Sequence, residues 1–149
     1  MPTTDKQVAV LHALLTGQRK KHRELLNQLD RSAANVGYSA LLAAGLFEAI
    51  ERRFIVNGKA TDDSTVVDFV ASIQERTNET PDLIKPDIAE RMIFHALNKG
   101  VSISNIDKEM AIQHQMVLLV ALIGDAQLSE SDLDTFLNKI RADADEAIN

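Results

Sequence analysis

The chain has no cysteine and no tryptophan, and only six glycines and three prolines among its 149 residues. Without cysteine there can be no disulfide, no thiolate metal ligand and no cysteine nucleophile, a composition that fits a reducing cytoplasm. Folding then rests on hydrophobic packing, which a chain of this length supports by burying roughly two thirds of the surface its unfolded form exposes. Few glycines also means no phosphate-cradling glycine loop, and no Gly-x-Ser-x-Gly elbow occurs. Long apolar runs are missing as well. The longest, Met116 to Ile123, is far short of the roughly 20 residues that cross a bilayer, and Met1-Pro2-Thr3-Thr4-Asp5 lacks the charged start of a secretion signal. The expectation is a cytoplasmic protein with no membrane association.

What is present is charge, unevenly placed. Residues 1–60 carry nine Lys/Arg against five Asp/Glu, a balance of +4, while residues 61–149 carry seven against seventeen, a balance of −10; together they give the formal −6. A net acidic chain is disfavoured as a nonspecific nucleic-acid binder, although its first part alone permits that contact. The same split lets the first helices dock on the last.

Apolar residues recur at intervals of three and four almost throughout, with no sustained alternation of the kind strands show. This predicts a single all-α domain over 1–149, a compact bundle of five to six helices. The first helix spans about 4–29, with Gly17 as a weak point. A second, about 34–56, closes at Asn57-Gly58, and its Ala40, Ala43, Ala44 and Gly45 allow close approach by a neighbour. A third follows Thr61-Asp62-Asp63, fades at Thr77-Asn78 and buries Val66, Phe69, Val70 and Ile73. After a turn bracketed by Pro81 and Pro86, the fourth starts at Pro86 and ends at Gly100, with Ile88, Met92, Ile93, Ala96 and Leu97 inward. Ser104 and Asp107 suggest the cap of a fifth, whose second half is apolar all round and so reads as the centre of the bundle. Ser129 with Asp132 opens the sixth, which carries Leu133, Phe136, Leu137 and Ile140 before an acidic tail, about 142–149, that is expected to fray. The third and sixth echo each other in spacing, as either a duplicated helix-loop-helix or two similarly built amphipathic helices would.

Local signals of chemistry are few. The loops 57–63 and 125–132 lack the alternating oxygen donors of a calcium loop. Glu90 precedes His95 by five residues, as Glu109 precedes His114, which turns each pair about 140° apart rather than onto one face. No catalytic residue, metal or cofactor is therefore assigned. Phe47, Phe54, Phe69, Phe94 and Met116 fit either a core or the lining of a small-molecule pocket. Ala96, Gly100, Val101, Ser102 and Ile106 resemble the helix-turn-helix of bacterial repressors, a likeness over about a tenth of the chain. It implies a second helix entering the major groove, yet that helix would present Asp107 and Glu109 against one Lys108 to a polyanion.

Two features of the first helix carry the functional expectation. Arg19, Lys20, Lys21 and Arg23 form a basic run, to which Arg52 and Arg53 add where the second helix packs antiparallel to the first; it fits a partner or phosphate contact, or a solvated face. Val8, Leu11, Leu15, Gln18, His22, Leu25 and Leu29 follow the 3-4 spacing of a coiled-coil seam, buried either between chains or within the bundle. An intermolecular seam containing His22 predicts association that weakens below about pH 6. The reading is a non-enzymatic interaction or regulatory module, a homo-oligomer or the binder of a protein partner. The alternatives are a nucleic-acid-associated regulator and a small-molecule-binding bundle.

Overall fold

The computed structural model describes residues 3–28, 31–76 and 84–148, with side chains throughout except at 31–35. Leu29, Thr77, Asn78, Pro81 and Asn149, used in the sequence reading, lie outside the described residues. Seven helices and one two-stranded hairpin are described: α1 (Asp5–Leu15), α2 (Arg19–Gln28), α3 (Arg31–Phe54), β1 (Ile55–Val56), β2 (Lys59–Ala60), α4 (Asp63–Arg76), α5 (Pro86–Ala96), α6 (Lys108–Ala126) and α7 (Glu130–Ile148). The fold is all-α, with more helices than the five to six expected. The extra one comes from the first segment, where Gly17 adopts φ +75°. That left-handed conformation is nearly free for glycine and ends the helix, so 4–29 becomes two helices rather than one.

The long helix α3 is the spine, packing against α1, α6 and α7. Leu41, Leu42, Ile50 and Phe54 project from it and are almost wholly buried with Leu11 of α1, Leu118 and Leu119 of α6, and Phe136 and Ile140 of α7. Gly45 lets α3 cross α6 and α7 closely: a Cβ there would sit 3.2 Å from Leu119 and 3.3 Å from Ile140. Both echoed stripes, Val66-Phe69-Val70-Ile73 and Leu133-Phe136-Leu137-Ile140, are buried. Helix α6 is not the enclosed centre that its composition suggested. His114, Leu118, Leu119, Leu122 and Ile123 face inward, while Met116 and Val117 are half-buried and Val120 is 38% exposed. The bundle covers one side of it only.

Local signals resolve as physical chemistry dictates. Asn57 and Gly58 both have positive φ, but as the turn of a hairpin pairing Ile55 with Ala60 and Val56 with Lys59, not as a helix cap. Pro86 is the first residue of α5, and the Ser129 hydroxyl accepts the Asp132 N–H at 3.1 Å. For α6 the cap is Asp107, whose carboxylate accepts from the Met110 N–H, rather than Ser104. The acidic tail does not fray: α7 runs to Ile148, and Asp145 accepts from the Thr3 N–H at 2.6 Å and the Thr3 hydroxyl at 2.8 Å. Arg141 completes this clasp by pairing with Asp5 and donating to the Thr3 carbonyl.

Candidate interaction surface

Gly17 divides the predicted seam. Leu11 is completely buried in the chain's own core, Val8 and Leu15 are half-buried against it, and Gln18 is exposed at the break. Beyond the break, Leu25 is half-buried, and the His22 Nε2 lies 3.2 Å from the Tyr38 hydroxyl of α3. Burial holds the His22 imidazole below its ordinary range and pushes the Tyr38 phenol up. The 3-4 pattern is thus shared between two helices and is not one continuous face.

The basic run sits on α2, a helix none of whose residues is buried. Arg19, Lys20, Lys21 and Arg23 are exposed, and no ion pair is found for them among the described residues. Arg52 and Arg53 are instead engaged within the fold. Arg52 pairs with Glu48 at 3.0 Å and lies 5.1 Å over the Phe136 ring; Arg53 bonds Asp125 at 3.3 Å and lies 5.0 Å over the Phe69 ring. Glu48 also pairs with Lys139 of α7, whose ammonium is held above its ordinary range by that carboxylate first and Asp143 second.

The candidate pocket residues do not converge. Phe54 and Phe69 meet edge-to-face in the core at 5.6 Å, Phe47 is 49% exposed on α3, and the Lys99 ammonium lies over Phe94. His114 is buried and fully occupied: its Nε2 accepts from the Lys85 N–H at 2.9 Å, and its Nδ1 lies 2.8 Å from the Met110 carbonyl, a pairing that assigns the proton to Nδ1. His95 is placed similarly, its Nδ1 2.8 Å from the Val101 carbonyl. No cluster of three or more metal-ligating side chains forms among the described residues. Nor is the repressor-like arrangement present. Helix α5 ends at Ala96 and α6 begins at Lys108, so residues 97–107 separate them where that motif needs a turn of three or four.

The surface that does assemble lies along the outward side of α6. At 100° per residue, Glu109, Gln113, Met116, Val117, Val120 and Gly124 share one face, opposite the buried Leu118 and Leu122. Beside its second half runs a groove of about 490 Å³, floored by Met116, Val117, Val120 and Ala121 and walled by Leu14 of α1 and Ile73 of α4. Arg19 and Arg76 line the same groove. Its first half carries a shallower apolar depression formed by Ile112, Met116 and Val117 with Glu109 and Gln113.

Charge is distributed unevenly along that face. At the Gly124 end, Arg76 bonds Asp125 at 2.8 and 3.0 Å and shares it with Arg53. The Arg76 hydrogen bond is the main reason the Asp125 carboxyl is held below its ordinary range. One carboxylate thus faces two guanidinium groups, and Arg19 lines the same groove, which makes that half of the face cationic. At the other end Glu109 lines the depression, while Lys108 does not. Sequence reasoning missed Arg76, Asp125 and this face of α6, though the all-round apolar run at 116–123 was their signal. Among the described residues no helix is long and apolar enough to cross a membrane. No protein-family model matches the chain, and neither a curated protein nor a solved structure matches it.

Proposed function

We propose that the chain is a non-enzymatic helical interaction module whose contact surface is the outward face of α6 and the groove beside it. The observation that carries this reading is the placement of Met116, Val117 and Val120, apolar side chains left half-buried or exposed on a helix whose other side is core. A contiguous apolar strip rimmed by charge marks a protein contact more often than a solvated face. Its apolar lining suits a helix that carries apolar anchors at intervals of three and four. Methionine at its centre adapts to an incoming side chain at little cost.

Site-specific photocrosslinking tests it. A benzoylphenylalanine at position 120 of the full chain, expressed in cells, is expected to capture a protein, with Thr135 on the exposed side of α7 as the control position. Equal or absent capture at 120 and 135 contradicts the reading.

The exposed cations Arg19, Lys20, Lys21 and Arg23 on α2 favour a second reading, contact with nucleic acid. Under that reading, binding of a labelled duplex falls steeply with salt and is lost in Lys20→Glu/Lys21→Glu. Binding indifferent to both rejects it.

A further inference from the structure

The geometry points to a second copy of this chain as the occupant of the α6 face, docked antiparallel about a two-fold axis near Met116 and Val117. This inference rests on the reading of that face as a contact surface and adds the identity of the partner. A two-fold interface is self-complementary: whatever one end of the patch offers, the other end must accept. The α6 face meets that requirement in apolar surface and in charge.

In apolar surface, its first half is a shallow depression lined by Ile112 and Met116, and its second half is the groove walled by Leu14 and Ile73. Turning one copy over sets the apolar lining at Ile112 and Met116 of each against the apolar groove of the other. In register, an antiparallel pair centred between 116 and 117 sets Gln113 opposite Val120 and Glu109 opposite Gly124. Gly124 has nothing within 4 Å of where a Cβ would stand, so the backbones can approach closely at that point.

In charge, the same register brings Glu109 of each copy to the cationic end of the other, where Arg19 and Arg76 line the groove. Glu109 and Gly124 are about 22 Å apart along the helix, so the two ends act separately. A parallel arrangement would instead set Glu109 against Glu109 and Arg19 against Arg19. The charges therefore select the antiparallel pair, and they occur twice in it.

Sedimentation equilibrium across a hundredfold range of concentration tests the inference with the full chain. The wild type is expected to dimerise. Glu109→Arg and Arg19→Glu, both at exposed positions, are each expected to weaken the dimer about tenfold, because each change acts at two symmetric contacts. The double variant, which restores opposite charges with the signs exchanged, is expected to recover most of that loss. A wild-type monomer throughout overturns the inference, as does a dimer in which the double variant is weaker than either single one. Failure of the second copy and failure of the surface remain distinguishable. A monomer that still crosslinks a different protein through position 120 rejects only the second copy, whereas a monomer with no adduct there rejects both.

Discussion

Replacing Gly37 by alanine is expected to change sign with its background. Gly37 lies within α3, where alanine ordinarily stabilises a helix by about 1 kcal/mol over glycine. Here a Cβ would stand 2.5 Å from both the Nε2 and the Oε1 of Gln7. Gln7 is only 4% exposed and is held by a reciprocal cap at the start of α1. Its Oε1 accepts from the Thr4 N–H at 2.9 Å, and its own N–H donates to the Thr4 hydroxyl at 3.2 Å. The new methyl must push the amide out. That forfeits a hydrogen bond of about 1 kcal/mol and adds overpacking of about 1–3 kcal/mol. Against the propensity gain, the net is a destabilisation of about 1–3 kcal/mol, or roughly 2–4 °C of Tm for each kcal/mol in a chain of this size. In a Gln7→Ala background the obstruction is gone, so Gly37→Ala is expected to stabilise by about 1 kcal/mol. Urea unfolding of the four members of this cycle measures both terms. Stabilisation by Gly37→Ala in the otherwise native chain, or equal destabilisation in both backgrounds, would refute the close approach of α1 to α3.

Further expectations follow from the polar contacts. His114→Phe removes the acceptor of the Lys85 N–H and is expected to cost about 1–3 kcal/mol in urea unfolding; a neutral result would mean that α6 is not tied to the start of α5 through that imidazole. Because the folded-state carboxyl of Asp125 is held below its ordinary value, its contribution is fully present above the unfolded value and is lost as pH falls through the folded one. Asp125→Asn should thus cost about 0.5–1 kcal/mol at neutral pH, the range of a partly exposed ion pair, with the difference from wild type closing in acid; a difference constant with pH contradicts it. His22, depressed by burial, favours folding as the neutral imidazole, so its contribution is present above its ordinary value and is lost as pH falls through the folded one. The protection of the α2 amides, that is their exchange relative to the intrinsic rate at each pH, is expected to fall between pH 7.5 and 5.5, and unchanged protection would detach His22 from the docking of that helix on Tyr38.

The amphipathic helices were legible because each carries its own period. Val66, Phe69, Val70 and Ile73 announce one buried stripe, and Leu133, Phe136, Leu137 and Ile140 the other. The break at Gly17 was partly legible: the glycine marked a weak point, while the 3-4 spacing of Leu15, Gln18 and His22 continues across it and a single backbone torsion turns the chain. The Asn57-Gly58 hairpin was hidden by strands only two residues long, too short for alternation to register. The acidic tail looked free because its anchor, Thr3, lies 142 residues away in the chain. The candidate surface was half legible. Composition marked α6 as apolar all round, but which side stays uncovered depends on where α1 and α4 end, and that is a tertiary fact. Arg76 and Asp125 drew no notice for the same reason, as they meet only through the fold.

The most direct test of the α6 face as the contact surface is the solution mass of the wild type and of Met116→Glu by light scattering on a sizing column, with helicity checked by circular dichroism. Met116 is half-buried, packed at the edge of the core and open on the outward side of α6, so a carboxylate there can reach water in the isolated chain and is enclosed by apolar surface in a complex. A wild-type dimer that Met116→Glu converts to a folded monomer is the predicted result. A dimer of unchanged mass in the variant would place the contact elsewhere on the molecule and contradict the account.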